Sequence, residues 1–335
     1  MSQSQTTLAT SKTANPHTSH EIDASLAPPP PDTTHLDRVL YLFGYPIAHS
    51  LSPLFHGTVF SNLRLNYTQY LYESRSLSSC LALTHDPKFL GASVTMPFKV
   101  AIIPRLDFMT PEAAAIGAVN TIWWKTDQDG RRALCGTNTD CIGIREAIVR
   151  NVNKDKVEAM KGNKGMVIGG GGTSRAAVYA LKTFLGCAEV YLVNRDKSEV
   201  DAVMAECSKE DFGDGLIYVS TIEEAESLQA PAVVVSAIPD FPPKTEDEIR
   251  TRKVIEILLG KEEKGAILEM CYHPSPRTEI AALAMRSGWQ VVPGTQAMIW
   301  QGFEQDRVWL NKEVNELPVE KVKAVIAAKL ARSHL

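Results

Sequence analysis

The stretch Met166-Val167-Ile168-Gly169-Gly170-Gly171-Gly172-Thr173-Ser174-Arg175-Ala176 decides the fold. A short apolar run feeds straight into four glycines, and Thr173 to Phe184 then reads as a helix. Four glycines alone could be a flexible linker. The strand before them and the helix after them argue otherwise. In that arrangement backbone N–H groups at a helix N-terminus face a pyrophosphate, and the missing side chains let phosphates approach. Gly169, Gly170, Gly171 and Gly172 are therefore candidate dinucleotide-binding residues.

Downstream, Glu189 to Val193 reads as a strand, Lys197 to Cys207 as a helix and Val233 to Ser236 as a buried strand. Ala266 to Met270 and Gln290 to Val292 are further strands. Repeated βα units imply a parallel sheet with helices on both faces. Asn194-Arg195-Asp196-Lys197 follows the second strand, about 20 residues or slightly more past the glycines, where a ribose selector sits. Arg195 could stack on adenine or pair with a phosphate. Asp196 and Glu199 would repel a 2′-phosphate, although acids are favoured at any helix start. The balance leans to NAD over NADP.

Upstream, Arg38 to Phe43, Tyr67 to Tyr72 and Leu90 to Thr95 read as strands, and Val119 to Trp124 and Arg132 to Thr137 as two more around a loop at 127–130. Pro97 to Ile103 and Pro111 to Ile116 read as short helices. Ser52 caps a helix with Pro53 at its first position, and Pro318 to Ala331 is amphipathic. The expected fold class is α/β with two α/β domains. An N-terminal substrate domain spans 37–141, with the C-terminal helix of 303–335 packing back on it. A Rossmann-like dinucleotide-binding domain spans 142–302.

The 335 residues carry 35 Lys and Arg against 39 Asp and Glu, a net charge of −4. That balance lacks the basic footprint of a nucleic-acid binder. No apolar run approaches the ~18 residues of a membrane span. Six cysteines without a C-x-x-C argue against a zinc cage and suit reduced thiols. Residues 1–36 hold twelve Ser or Thr, five Pro and no aromatic residue, which reads as a disordered tail. It has no apolar core for a secretory signal, no Arg, and three acids, so the expectation is a cytoplasmic protein.

The N-terminal half carries the reactive side chains. Ser50 and Ser52, two apart, would share a face of an extended segment and could donate together to a carboxylate; Ser52 could equally be a helix cap. Lys99 follows the strand that ends at Thr95. A lone lysine is usually a solvated charge, and spacing alone does not assign it to catalysis. Asp140 reads by default as a helix cap. His49 and His56 lack a third ligand and read as packing or cap residues, so no metal site is expected.

Taken together, the motifs G-Y-P-I-A-H-S-L-S-P at 44–53, S-V-T-M-P-F-K at 93–99, G-A-V-N-T at 117–121, T-N-T-D at 137–140, G-G-G-G-T-S-R-A at 169–176, E-M-C-Y-H-P at 269–274 and Q-G at 301–302 resemble the shikimate/quinate dehydrogenase family, and its fungal quinate dehydrogenases most. The resemblance covers residue 37 to about 332. It implies Lys99 and Asp140 as the catalytic pair. It implies Ser50 and Ser52 as carboxylate ligands, and Thr95, Asn120 and Gln301 as partners of the ring hydroxyls. Tyr272 would lie near both the carboxylate and the nicotinamide. Thr173 and Ser174 extend the pyrophosphate loop, Asn194 and Arg195 begin the adenosine motif, and Ser236, Met270 and Gly294 line the nicotinamide side.

Three departures matter. Ser93, a further substrate-binding candidate, stands where the family often has Asn, which weakens one substrate contact and leaves room for a bulkier ring substituent. Thr137 replaces a frequent acid. Asp196 and Glu199 replace a Thr and a basic residue of the adenosine motif, which opposes a 2′-phosphate and favours NAD. The resemblance implies NAD-dependent oxidation of quinate to 3-dehydroquinate, with shikimate as a second substrate, by a monomer or weak homodimer. The competing readings are an NADP-dependent shikimate dehydrogenase and a non-catalytic sensor of the quinate pathway.

Overall fold

The computed structural model describes residues 27–126, 129–273, 275 and 277–332. Six strands, β1 (Arg38–Gly44), β2 (Tyr67–Glu73), β3 (Phe89–Val94), β4 (Phe108–Met109), β5 (Thr121–Thr126) and β6 (Arg132–Thr137), form one sheet in the order β2-β1-β3-β5-β6-β4. The strands β1, β2 and β3 are parallel, whereas β5 runs antiparallel to both β3 and β6. This first sheet is thus mixed. Few residues separate β5 from β6, and a short connection can only reverse the chain.

The second sheet contains β7 (Lys164–Ile168), β8 (Glu189–Val193), β9 (Leu216–Tyr218), β10 (Val233–Ser236), β11 (Ala266–Glu269) and β12 (Gln290–Pro293). It is parallel throughout, in the order β12-β11-β10-β7-β8-β9. Its short apolar runs are buried on both faces. Val167, Val190, Leu192, Val233 and Val235 enter one core, while Met166, Ile168, Tyr191, Val193 and Val234 enter the other. Two-sided burial removes polar alternation from such strands, which is why they read as continuous apolar runs. Strand order reverses between β7 and β10. The crevice beyond the carboxyl ends of those strands is the switch point where doubly wound sheets bind ligands.

Two helices carry the chain between the sheets. The helix Asp140–Asn151 leaves β6 and buries Cys141, Ile144, Ala147 and Ile148 in the core of the second sheet. The helix Gly294–Leu310 follows β12, lends Ala297 to that same core, and packs Ile299, Trp300, Phe303 and Trp309 under the first sheet with the helices Ser52–Asn62 and Val319–Arg332. Gly143 lets the two crossing helices touch: a Cβ there would lie 2.5 Å from the Ala297 carbonyl oxygen.

Several expectations need correction. Residues 1–26 of the expected disordered tail lie outside the described residues, but residues 27–36 lie on the first domain. The Tyr72 phenol donates to the Pro28 carbonyl (2.9 Å), Thr33 donates to Asp86 (3.0 Å), Lys88 donates to the carbonyls of Thr33 and Thr34, and Leu36 is buried. A proline run has no N–H groups to satisfy, so it can be held through its carbonyls alone. The helix expected over Pro97 to Ile103 is a single turn, Phe98–Ala101, followed by a 3-10 turn, Ile103–Arg105, because Pro104 cannot donate inside a longer helix. The C-terminal segment from 303 is not one helix. Gly294–Leu310 ends at Asn311 in the left-handed region, and Val319–Arg332 follows after Pro318; residues 333–335 lie outside the described residues. The glycine-loop helix begins at Gly172 and widens to a π turn over Ala180–Phe184. The sequence pattern does not reveal the strands β4 and β9 or the helices Leu77–Ala82, Lys154–Glu158, Ile222–Ser227, Glu246–Gly260 and Glu279–Arg286, and it shows Gly294–Leu310 only from 303, its apolar stripe being broken by buried Gln305 and Asp306.

Candidate active site

The loop that follows β1 meets the loop that follows β3. Gly44 makes this possible, since a Cβ there would collide with the Thr95 methyl and come within 2.8 Å of the Met96 carbonyl oxygen. The Tyr45 N–H donates to Met96 O and the Thr95 N–H to Phe43 O, both at 2.9 Å. Glu73 fixes the first loop by accepting from the N–H groups of Ile47 and Ala48, at 2.8 and 2.9 Å. No sequence signal pointed to Glu73.

Ser50 and Ser52 lie in this loop, but not as two parallel donors. The backbone turns there, and the Ser52 N–H donates to Ser50 Oγ at 3.2 Å. Ser52 is the first residue of its helix rather than its cap, and its hydroxyl donates to Gln69 Oε1 at 2.7 Å. Ser93 is buried with its hydroxyl engaged on both sides: it accepts from Gln69 Nε2 and donates to Gln305 Oε1, each at 3.0 Å. Its proton is committed to Gln305, so it has none to donate to a ligand. Gln69 and Gln305 were missed, because each acquires meaning only through partners far away in sequence.

Lys99 and Asp140 come together. Lys99 Nζ lies 2.5 Å from Asp140 Oδ2, with the two side chains only 15% and 12% exposed. Asp140 is the first helical residue after Thr139, not the cap, and its carboxylate faces Lys99 rather than its own helix. The other oxygen, Oδ1, accepts from Asn120 Nδ2 at 2.8 Å. Asn120 Nδ2 also donates to Thr139 Oγ1 at 3.0 Å and lies 3.4 Å from Gln301 Oε1, and its Oδ1 accepts from the Thr139 N–H. Lys99 Nζ reaches across to Thr173 Oγ1 at 3.3 Å, so the ammonium touches the start of the glycine-loop helix. The arrangement can hold an amine in place and pass a proton between an amine, a carboxylate and a bound hydroxyl.

Thr95 is partly exposed in the loop before Lys99. His49 stacks on His273 with ring centroids 4.1 Å apart, bringing the serine loop against the segment that holds Tyr272. Tyr272 is partly exposed along its length, yet burial of the phenol pushes its pKa up to about 12. His56 is buried and bonded through Nδ1 to Asp306 at 2.8 Å. Among the described residues no group of three His, Cys, Asp or Glu is placed to hold a metal ion.

The glycine loop lies at the switch point. Gly169 has a φ of +126°, and a Cβ there would come within 2.9 Å of Ser174 Oγ and 3.0 Å of the Ala237 carbonyl oxygen. Gly171 faces open space, and no side chain caps the helix starting at Gly172. The Ser174 hydroxyl is buried without a partner, and the buried Ser236 hydroxyl lies near the Glu269 carboxylate. Free amides, an open glycine and the Ser174 hydroxyl at a helix N-terminus fit a dinucleotide pyrophosphate. Met270 and Gly294 border the same crevice, with Gly294 pressed against the carbonyls of Glu269 and Met270. Asn194 donates to Glu199 Oε2 at 2.7 Å, and that carboxylate lies against Gly170. Arg195 is drawn aside into an ion pair with Glu248. Asp196 accepts from the Ser198 N–H and caps the helix Lys197–Cys207. Arg195 and Asp196 are thus engaged locally, and Glu199 is the acid that faces the loop.

Residues 42–122 match the family model of the shikimate dehydrogenase substrate binding domain. The chain is 44% identical over 316 residues to a quinate dehydrogenase of Emericella nidulans, covering 89% of this chain and 96% of that one. It is similar to a shikimate 5-dehydrogenase of Thermus thermophilus solved with NADP(H) and shikimate: 27% identity, TM-score 0.66, 88% of this chain and 99% of that one. The fold is also that of a Corynebacterium glutamicum quinate dehydrogenase solved with NAD, at TM-score 0.70 and 22% identity over 87% of this chain and 99% of that one. Among the described residues no helix is long and apolar enough to cross a membrane.

Proposed function

The chain belongs to the shikimate/quinate dehydrogenase family, and from that premise we propose that it oxidises quinate to 3-dehydroquinate with NAD, taking shikimate as a second substrate. The observation that carries this reading is the Lys99–Asp140 pair, 2.5 Å apart, largely enclosed, and in contact with Thr173 at the head of the glycine loop. An amine in that position meets both an alcohol bound over the first sheet and a cofactor bound over the second.

The reaction removes a hydride from a ring carbon and a proton from its oxygen. Gly169–Gly172 with Thr173 and Ser174 would hold the pyrophosphate of a nicotinamide dinucleotide, and Ser236, Met270 and Gly294 would line its ring; the group would supply the hydride acceptor. Lys99 contacts the reacting hydroxyl: as the neutral amine it takes the proton, and as the ammonium it stabilises the developing alkoxide. Asp140 holds the Lys99 amine, and Asn120 holds Asp140, so the amine is oriented before substrate arrives. Thr95, Asn120 and Gln301 position the other ring hydroxyls, and Ser50 and Tyr272 receive the carboxylate. Glu199 supports NAD. A carboxylate beside the glycine loop accepts from a free ribose 2′-hydroxyl and repels a 2′-phosphate. Six unpaired cysteines, five of them buried, suit a reducing compartment, and a cytosolic monomer or weak dimer completes the proposal.

Initial rates with quinate and shikimate, each with NAD and NADP, test the reading. Quinate with NAD is expected to give the highest kcat/KM. A strong NADP preference without quinate turnover refutes it.

A further inference from the structure

Below Ser52 runs a chain of hydrogen bonds in which every proton has a fixed direction. At its far end Gln305 Nε2 donates to the Asn120 carbonyl oxygen at 3.2 Å and to Thr121 Oγ1 at 2.9 Å. A backbone carbonyl can only accept, so this bond decides which end of the Gln305 amide is nitrogen and turns Oε1 toward Ser93. Ser93 therefore spends its one proton on Gln305 Oε1 and accepts from Gln69 Nε2. Gln69 Nε2 also lies 3.4 Å from the Tyr41 carbonyl oxygen, a second acceptor-only group that fixes this amide in the same sense. Gln69 Oε1 is left to accept, and it takes the Ser52 proton at 2.7 Å. Gln69, Ser93 and Gln305 are all at least 95% buried, so no solvent competes for these bonds.

The consequence falls on the partly exposed Ser52. A hydroxyl has one proton and two lone pairs. With its proton committed inward, Ser52 Oγ offers only lone pairs to the cleft. Ser50 is the reverse: its oxygen accepts from the Ser52 N–H, and among the described residues its proton has no acceptor. The two serines present one donor and one acceptor side by side. A carboxylate on its own wants two donors. A carboxylate on a carbon that also bears a hydroxyl wants one donor for the carboxylate and one acceptor for the hydroxyl.

We infer that Gln69 is a specificity-determining positioning residue: by holding the Ser52 proton it turns that hydroxyl into the acceptor for the tertiary hydroxyl on the carboxylate-bearing ring carbon, and so selects α-hydroxy ring acids over their unsaturated counterparts. The inference rests on the proposed quinate oxidation and names what in the site prefers quinate to shikimate. Gln69 touches no substrate; it acts through Ser52.

The test is the ratio of kcat/KM for quinate to that for shikimate in the unaltered enzyme and in Gln69→Met, which keeps the side-chain length and removes the amide. The ratio is expected to fall roughly tenfold, the worth of one hydrogen bond in a partly wet site, with shikimate kcat/KM held within about threefold. A ratio unchanged in the variant, or an equal loss on both substrates, overturns the inference. Should Gln69→Met fail to fold, the unaltered enzyme is assayed with quinate and with the ether carrying a methyl on the tertiary oxygen. That ether cannot donate, and a roughly tenfold or greater loss in kcat/KM is expected. Turnover of the ether equal to quinate overturns the inference. An unaltered enzyme that oxidises shikimate and ignores quinate instead refutes the proposed function, a result distinct from either.

Discussion

Replacing Glu269 by glutamine stabilises the protein above neutral pH and does little in acid. Glu269 ends β11 almost fully buried; Oε1 accepts from the Cys271 N–H at 3.0 Å, and Oε2 has no partner. Burial raises its pKa from 4.5 to about 7, against weaker opposition from the Cys271 N–H and the nearby Ser236 and Thr278 hydroxyls. The folded state thus holds the proton more tightly than the unfolded chain. Stability is full below the unfolded value near 4.5, falls as pH rises toward 7, and stays low above it. The gap between 4.5 and about 7 makes the ionised carboxylate cost about 3 kcal/mol at pH 8 and less than about 1 kcal/mol at pH 5. A glutamine side chain fills the same space without a charge to desolvate. Thermal unfolding of the parent and of Glu269→Gln at about pH 5 to 8.5 is the assay. The variant's Tm is expected to exceed the parent's by about 4 °C at pH 8 and to approach it at pH 5. Parallel curves, or a gap that widens in acid, refute the reasoning.

Lys99→Met is expected to lower kcat by roughly 10²–10⁴-fold while quinate still binds, measured by single-turnover rates and by titration. Asn120→Ala strips partners from Asp140 and the Thr139 N–H at once; kcat should fall and stability drop by about 2 kcal/mol in urea unfolding. Gly143→Ala places a methyl 2.5 Å from the Ala297 carbonyl oxygen and 2.8 Å from Gln301 Cβ; a loss of about 1–3 kcal/mol together with a raised KM is expected, and unchanged kinetics would contradict the close packing. Five thiols are buried, and burial pushes those of Cys80, Cys141 and Cys187 up to about 12. A maleimide is expected to label only Cys271 in the native state, as intact-mass measurement reports.

The second sheet was legible because its strands are buried on both faces and its glycines punctuate them; Glu189–Val193, Lys197–Cys207 and Val233–Ser236 have the bounds the sequence suggested. Lys99 and Asp140 were visible only through their motifs, since nothing local distinguishes a lysine in a single helical turn from a solvated one. Gln69 and Gln305 were invisible for a plainer reason. A glutamine in a strand or helix reads as surface until its partner is known, and Ser93 reaches Gln305 from 212 residues away. Ser52 and Asp140 look like helix caps in sequence because the same residue types that cap helices also serve ligands; here each begins its helix while its side chain looks elsewhere.

The two helices that link the halves have their reactive side chains where they cross. Asp140 opens one, Gln301 lies on the other, and Gly143 brings them into touch beside Gln301. A joint located there gives rotation a short lever at the proton-handling groups and a long one at the rim of the crevice. Any rotation about that joint would therefore move the amine, its carboxylate and the amides around them least. Sequence drift in either lobe then retunes what enters without disturbing how the proton leaves.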